Sequence, residues 1–450
     1  MRDLTKGPIT GHLLAMAGFI ATGLVVQTLY FLVDLWVVAR LGSAAVAGVS
    51  AAGTAWMLGM AATQVIAIGT MSLVGRAIGA KEANEAQRVF GQSLSLSVAV
   101  GAAALVLGYA LGPIGLRGLA ADPQTAEAAR GYLFAYLPSI AMMFPMAAIG
   151  SGLRASGVVG PPMVIQSLAL VLNAMLAPVL ALGWGTGVPL GTAGAGLATT
   201  AATVAGLAAL VLLLPRMRTP LRLRVPELRP LPAVWGRIAA IGGPAGAEFV
   251  LMFATMSVVY WVIRDFGATA QAGFGVGARV MQSIFLPAMA IAFAAAPIAA
   301  QNFGARDPHR VRATFRQAAL IGSAVMLTLS VLCHVRPDLL IAPFTSDAAA
   351  AEVAVEYLQI LSWNFVAVGL VFACGGMFQA LGDTRPALVG SAARLVVFAG
   401  PVIWLSGRPG FTLQQVWLVS AASGLLQAAI SLWLLRVQFR RKLTSLAPVA

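Results

Sequence analysis

Long apolar runs, most of about 20 residues or more, follow one another along the whole chain and are separated by short stretches with Arg, Gly, Pro or acids. A run of this length crosses roughly 30 Å of hydrocarbon as a helix. The alternation of apolar and polar residues that is typical of membrane β-barrels is absent, so helices must satisfy the backbone in lipid. The pattern predicts twelve spans, at residues 12–34, 46–75, 89–116, 131–153, 161–183, 191–214, 233–263, 268–300, 317–335, 354–378, 386–407 and 411–435.

The second half of the chain repeats the first. Residues of the same or a similar type recur at one constant offset, for example Gly42 and Gly267, Lys81 and Arg306, Asp122 and Asp347, Tyr132 and Tyr357, Gly157 and Gly382, and Pro161 and Pro386. We therefore predict an all-α integral membrane protein whose twelve transmembrane helices form two six-helix lobes with pseudo-two-fold symmetry. The predicted lobes are residues 1–215 and 233–450, joined by a basic linker at 216–232. Six spans in each half give both copies the same orientation in the membrane.

Composition supports the membrane class. Of the 450 residues, 59% are hydrophobic and 10% are charged, and the mean hydropathy is +0.88. A water-soluble domain cannot cover its surface with so few charges. The two cysteines, Cys333 and Cys374, predict neither a disulfide framework nor a metal site.

The net charge of +14 predicts an orientation in the membrane rather than a nucleic-acid partner. Most of the 29 Lys and Arg residues fall in segments that share one side if both termini are cytoplasmic. There they set topology and contact anionic membrane lipids. We expect a multi-pass protein of the inner, or cytoplasmic, membrane with both termini inside, present as a monomer and without nucleic-acid partners.

Several segments together resemble the multidrug and toxic compound extrusion (MATE) family, over roughly residues 8–440: LVDLWVVARLG, GLRASG, GGPAGAE, AAAPIAAQNFGA and QALGDTRPAL. The resemblance implies a cation-coupled antiporter that exports amphipathic, often cationic, organic compounds by alternating access between two lobes. The spacing of Pro244 and Glu248 is more similar to the branch related to the DNA-damage-inducible F protein, which is often proton-coupled, than to the sodium-driven branch.

Asp34 is an acid at the end of the first apolar run, where a charge in hydrocarbon costs on the order of 3 kcal/mol. Tyr30 and Gln27 lie on the same helical face. Burial favours the neutral form of a carboxyl, so Asp34 could take up a proton or monovalent cation and release it on the other side. The alternative is an interfacial Asp that only contacts water. The family resemblance favours the functional interpretation, because the acid of this motif lies in the coupling site.

Asn173 is the matching polar residue of the fifth span, and Thr199 and Thr203 lie one turn apart on the sixth. We predict that Asn173 joins the coupling site and that both threonines line the cavity. The alternative for all three is hydrogen bonding between helices. The sequence departs from some relatives at Ala177, where they carry a second acid, and at Phe19, where they carry a Pro.

Glu248 is the acid well inside the C-terminal spans, and Pro244 lies one turn before it and predicts a helix bend. Arg279 is the first candidate for its counter-charge, with Gln282 on a similar face, and Arg394 is the second. A paired Glu248 would be structural, whereas an unpaired one would be a cation site. Sodium at Asp34 or Glu248 stays an alternative to the proton.

Enzymatic motifs are not visible: the sequence has no GxxxxGK phosphate loop, no HExxH and no GxSxG. We expect no enzyme activity, no cofactor and no other metal, so that transport draws on an ion gradient. The alternative function is a lipid or lipid-linked glycan flippase of the same superfamily. Such proteins often carry extra helices or a strongly basic cavity.

Overall fold

The computed structural model of the chain describes residues 3–119 and 122–446, and helices account for nearly all of them. Fourteen α-helices lie in this described part: α1 Ile9–Ala39, α2 Ser43–Gly79, α3 Ala83–Leu119, α4 Pro123–Ala155, α5 Gly160–Leu182, α6 Gly191–Leu213, α7 Pro232–Ile263, α8 Ala268–Gly304, α9 Pro308–Val335, α10 Pro337–Ile341, α11 Ala348–Ser362, α12 Phe365–Ala380, α13 Arg385–Ser406 and α14 Leu413–Leu443.

Eleven of these helices are long and apolar enough to cross a membrane, and α11 with α12 form a twelfth span that is bent by 61°. This confirms the predicted all-α membrane architecture of twelve spans. The tenth span differs from the prediction, since 354–378 contains the break between Ser362 and Phe365. The short α10 precedes that span and is too short to cross a membrane.

The internal repeat is visible in the backbone at helix ends. Asp122 and Asp347 are both helix N-caps whose carboxylates accept backbone N–H bonds. The N–H and hydroxyl of Thr125 donate to Asp122 and hold the pKa of that carboxyl below its ordinary value. After α2 and α8, Lys81 and Arg306 adopt φ of 62° and 57°, a region uncommon for residues with a side chain. Matching positions therefore share unusual conformations as well as residue types.

A glycine-rich turn separates α5 from α6. Gly183 ends α5 in the left-handed region with φ of 75°. The Leu190 N–H then donates to the Leu180 carbonyl at 2.9 Å, which closes the turn. A Cβ on Gly194 would lie 2.3 Å from the Leu180 carbonyl oxygen, so the two helices approach closely only because this residue is glycine.

The described residues divide into two compact units. Unit 1 contains residues 3, 22–119 and 122–242, and unit 2 contains residues 4–21 and 243–446. The divisions lie within α1 and α7 rather than at the linker, because the opening turns of each helix pack in the unit of the other half. In unit 1, a Cβ on Gly242 of α7 would lie 1.8 Å from the Val65 carbonyl oxygen of α2. In unit 2, Arg310 donates to the Gly7 carbonyl just before α1.

The linker is predicted at residues 216–232. In the structure it comprises residues 214–231, between the end of α6 and the start of α7, and it is held against α3 in unit 1. Gln87 forms a pair of hydrogen bonds with the backbone of Arg222, at 2.6 and 2.8 Å. Gln92 donates to the Glu227 carbonyl at 2.7 Å and accepts from the Leu231 N–H at 2.8 Å. These amide side chains replace the backbone pairing that an irregular segment lacks, so the linker has a fixed conformation.

Candidate functional site

Asp34 lies in unit 1 on the last turns of α1, opposite α4. The hydroxyl of Tyr132 donates to Asp34 Oδ2 at 3.1 Å. Asp34 Oδ1 is buried and has no hydrogen-bond partner among the described residues. The ion pairs in that part of the chain do not include Asp34. The structure thus places a carboxyl in the membrane-spanning part of unit 1 with one oxygen hydrogen-bonded and the other unpaired.

One tyrosine bonds to this carboxyl, and two further tyrosines lie near that contact. Tyr132 and Tyr136, one turn apart on α4, stack with ring centroids 5.2 Å apart. Tyr30 lies one turn before Asp34 on α1, and its buried hydroxyl faces Thr199 and Thr203 without a well-formed hydrogen bond. The tyrosines supply hydroxyl groups that can donate or accept a hydrogen bond.

A second polar group joins α4, α5 and α6. Asn173 Nδ2 donates to Thr199 Oγ1 at 3.1 Å, and Ser139 and Thr203 share a hydrogen bond of 2.9 Å. Asn173 is fully buried, and its Oδ1 has no hydrogen-bond partner in the described structure. These contacts are hydrogen bonds between helices, the alternative that the sequence left open for Asn173, Thr199 and Thr203. A role for these residues in coupling or in the substrate cavity stays a prediction.

Glu248 occupies a different setting, in unit 2 on α7. Ser391 Oγ donates to Glu248 Oε1 at 2.9 Å, and Gln427 Nε2 donates to Ser391 Oγ at 3.1 Å. Arg394 Nη1 in turn donates to Gln427 Oε1 at 3.4 Å. Every donor in this series points toward the carboxyl group of Glu248, which accepts the last bond. We call this series the Glu248 relay.

Arg279 and Gln282 lie apart from the Glu248 relay. Both side chains are exposed on α8, and the ion pairs of the described residues do not join Arg279 to Glu248. Of the two candidate counter-charges, Arg394 is therefore the one that the structure links to Glu248, through two neutral side chains. Gln27 is likewise exposed on α1 and makes no hydrogen bond with the polar group around Asp34. A role for these three residues in the substrate cavity stays a prediction.

Comparison with known proteins identifies the chain. Residues 20–179 and 244–405 match the MatE family. The chain belongs to this family. Its members are multi-pass membrane transporters rather than enzymes, and the two matched segments contain Asp34, Asn173 and Glu248.

Relatives of this MATE family member are similar over almost their whole length. The probable multidrug resistance protein NorM of Bradyrhizobium diazoefficiens is 27% identical over 421 residues, which cover 91% of this chain and 89% of NorM. The multidrug export protein MepA of Staphylococcus aureus is 23% identical over 443 residues, with 96% and 95% coverage. A crystal structure of a MATE protein in complex with MaL6 superposes with a TM-score of 0.91 at 21% identity, covering 99% of this chain and 100% of that one. The last similarity concerns the fold alone.

Tyr132, Tyr136 and Ser139 are not predicted as site residues from the sequence. Tyr132 served only as a marker of the repeat, although its hydroxyl contacts Asp34 across 98 positions of sequence. The spacing of these three residues is the sequence feature that could have identified them as part of the site. Tyr132, Tyr136 and Ser139 lie three or four positions apart and therefore put polar groups on one face of an apolar span.

Proposed function

We propose that this MATE protein is a proton-coupled antiporter that exports amphipathic, often cationic, organic compounds by alternating access. The observation that carries the proposal is the Asp34 carboxyl, which accepts a hydrogen bond from Tyr132 on one oxygen, has a buried and unpaired second oxygen, and has no basic partner among the described residues. A carboxyl in such surroundings is stabilised by a proton or by a cation, because an unpaired buried charge is costly.

Competition between a substrate cation and a proton for the Asp34 carboxyl would couple export of the one to import of the other. In this mechanism a substrate cation and a proton alternate at Asp34, so that binding of one releases the other. The tyrosine rings around Asp34 suit a flat cation, since aromatic faces attract positive charge. Asn173, with a buried unpaired Oδ1, adds a fixed acceptor to the same unit.

We propose Glu248 as a second coupling carboxyl. It lies in the other unit and is connected to Arg394 through Ser391 and Gln427. Because its nearest contacts are neutral, it can exchange a proton without breaking an ion pair. The contrast with Asp34 gives the two acids different roles, in which Asp34 binds both cargo and proton and Glu248 binds only a proton.

The chemistry of unit 1 argues against the flippase alternative. A lipid-linked diphosphate carries several negative charges and requires basic groups for binding. The side chains joined around Asp34 are an acid, hydroxyl groups and an amide. A deletion strain that accumulates a lipid-linked precursor while its dye efflux is unchanged would support the flippase instead.

Dye transport into everted membrane vesicles tests the proposal, with a proton gradient or a sodium gradient imposed separately. We expect the wild-type protein to transport a cationic dye under the proton gradient. Asp34→Asn should insert normally and lose this transport, because the amide neither binds a proton nor attracts a cation. Asp265→Asn is the matched control, since it removes an exposed acid outside the helices that surround Asp34 and should leave transport unchanged.

Two outcomes would contradict the proposal. Undiminished transport by Asp34→Asn would place the coupling carboxyl elsewhere, with Glu248 as the next candidate. Transport that follows the sodium gradient alone would replace the proton by sodium as the coupling ion.

We also propose that both termini face the cytoplasm of a bacterial inner membrane, as the distribution of Lys and Arg indicates. Cys333 and Cys374 are buried, so single introduced cysteines give a clear signal with a membrane-impermeant thiol reagent. Arg224→Cys in the linker should react in everted vesicles only. Thr345→Cys, before α11, should react in intact spheroplasts only, and the reverse pattern would invert the topology.

A further inference from the structure

An open groove of about 400 Å³ lies in unit 1 where α6 ends and α5 begins. Four apolar residues and two arginines line it: Val158, Pro161, Leu213, Met217, Arg216 and Arg218. The arginines follow α6 in and after a short 3₁₀ turn, and Pro161 belongs to the first turn of α5. The groove therefore combines apolar walls with two positive charges.

The two arginines have no acidic partner. Both are exposed, and the ion pairs in the described part of the chain involve other residues. The N-terminus of α5 adds the positive end of a helix dipole, and its N-cap Val159 places no side-chain oxygen there. Positive charge in the groove is thus uncompensated by the protein and fits an anion.

The apolar walls specify what kind of anion fits. Val158 is half-buried and Leu213 is exposed, and neither offers a hydrogen-bonding side chain, so both would remain uncovered beside a small hydrated anion. An amphiphile with an acyl chain covers them and presents its negative group to the arginines. The groove therefore favours a phospholipid over free inorganic phosphate.

The linker next to the groove carries an independent sign of contact with lipid. Leu223 and Val225 are 39% and 79% exposed, and they alternate with Arg222 and Arg224. Apolar side chains that alternate with arginines are typical of segments at a membrane interface. Because Gln87 fixes the backbone of Arg222, this surface is already ordered without lipid.

We propose that the groove is a binding site for an anionic phospholipid. Its phosphate lies between Arg216 and Arg218, and the upper part of an acyl chain lies along Leu213 and Met217. This site is separate from the carboxyl of Asp34 and does not depend on the ion that drives transport.

Native mass spectrometry of the intact protein tests the proposal, after extraction from bilayers that contain equal amounts of phosphatidylglycerol and phosphatidylethanolamine. We expect the wild-type protein to retain phosphatidylglycerol preferentially. The double variant R216Q/R218Q should retain roughly tenfold less, because each near-surface arginine contributes to the attraction for anionic lipid. The matched control R440Q/R441Q removes the same charge at the exposed end of α14 and should retain as much as wild type.

A second variant tests the apolar wall. Leu213→Asn keeps both arginines and should also reduce retention of phosphatidylglycerol, whereas added inorganic phosphate should not displace the lipid from the wild-type protein. Equal retention by R216Q/R218Q and wild type would overturn the site. An equal loss in R440Q/R441Q would overturn it in favour of general surface charge. Normal retention by Leu213→Asn or displacement by phosphate would overturn it in favour of a simple anion contact.

Discussion

Asp34 owes its proposed role to what its two oxygens contact. One oxygen accepts a hydrogen bond from Tyr132, and the other has no partner in the described structure. A carboxyl with this asymmetry has one side held in place and one side ready for a proton or cation. The tyrosine that holds it is therefore as important for the geometry of the site as the acid itself.

Tyr132→Phe tests this dependence. The substitution keeps the ring that stacks on Tyr136 and removes only the hydroxyl that donates to Asp34. A hydrogen bond to a charged group contributes about 1.5–3 kcal/mol. We therefore expect proton-driven dye transport to fall roughly tenfold or more, with normal insertion and an unchanged melting temperature to within a few degrees.

Tyr109→Phe is the control for that experiment. It removes another tyrosine hydroxyl, which donates to the Phe134 carbonyl on an exposed surface of unit 1. Its transport rate should match the wild type. Equal losses in both variants would mean that the Tyr132 hydroxyl acts through general packing of α4 and not through Asp34.

Among the helices, apolar run length identified the spans, but local sequence did not reveal the break in the tenth. Pro138 lies inside the continuous α4, whereas the matching position in the second half, Trp363, lies between α11 and α12. A contact that is distant in sequence lies at this break. A Cβ on Gly424 of α14 would lie 1.9 Å from Asn364 Nδ2, so the Asn364 amide lies directly against the backbone of α14.

The same distinction applies to the candidate site. Asp34, Asn173 and Glu248 could be found from sequence because a polar group in an apolar span is conspicuous. Their partners could not, because pairing depends on which helix faces which. Ser391 reaches Glu248 across 143 positions, and nothing in the local pattern of α13 marks Ser391 above other small polar residues.

The linker is the element whose observed order differs most from what its sequence predicts. Rich in Pro and Arg, it resembles a flexible connection, yet side chains of α3 bind its backbone at several points. Gln92 alone bonds to three backbone groups, those of Glu227, Arg229 and Leu231. The order of the linker thus depends on α3 rather than on its own residues.

Gln92→Ala should release the linker. The change removes three hydrogen bonds to the linker backbone, and each such bond contributes about 0.5–1.5 kcal/mol. We expect trypsin to cleave after Arg222 and Arg224 several times faster than in the wild-type protein. The melting temperature of the whole protein should fall less than it would if three hydrogen bonds were removed from the core, because the linker can open locally without global unfolding.

Ser93→Ala is the matched control for the linker experiment. Ser93 lies one residue further along α3, and its hydroxyl bonds within the helix to the Val89 carbonyl. The rate of linker cleavage should be that of the wild type. If Gln92→Ala is cleaved no faster than Ser93→Ala, the hydrogen bonds do not hold the linker.

At the scale of the whole molecule, the two halves share backbone conformations at matching turns but carry their membrane acids at different positions. Lys81 and Arg306 preserve the same unusual turn in both halves. The two acids inside the membrane spans do not match. The position that corresponds to Asp34 is Val259 in the second half, and the position that corresponds to Glu248 is Gly23 in the first half. Each unit has therefore acquired its own carboxyl, with different partners.

If both carboxyl groups couple transport, as proposed above, two protons are exchanged in each transport cycle. With the membrane potential held at zero, each coupled proton allows about tenfold accumulation of substrate per pH unit, equivalent to about 1.4 kcal/mol. We expect the wild-type protein in vesicles to exceed tenfold accumulation at a gradient of one pH unit. Glu248→Gln should approach but not exceed tenfold, because Asp34 still exchanges substrate for one proton.

The amide of Glu248→Gln can still accept the hydrogen bond from Ser391, so unit 2 should keep its packing and the variant its stability. Ser391→Ala serves as the comparison, because it interrupts the Glu248 relay but retains the ionisable carboxyl, and its accumulation at equilibrium should equal that of the wild type. If Glu248→Gln also reaches the wild-type ratio, Glu248 does not carry a coupled proton. The Glu248 relay would then hold α7, α13 and α14 together, and Asp34 alone would couple transport to the gradient.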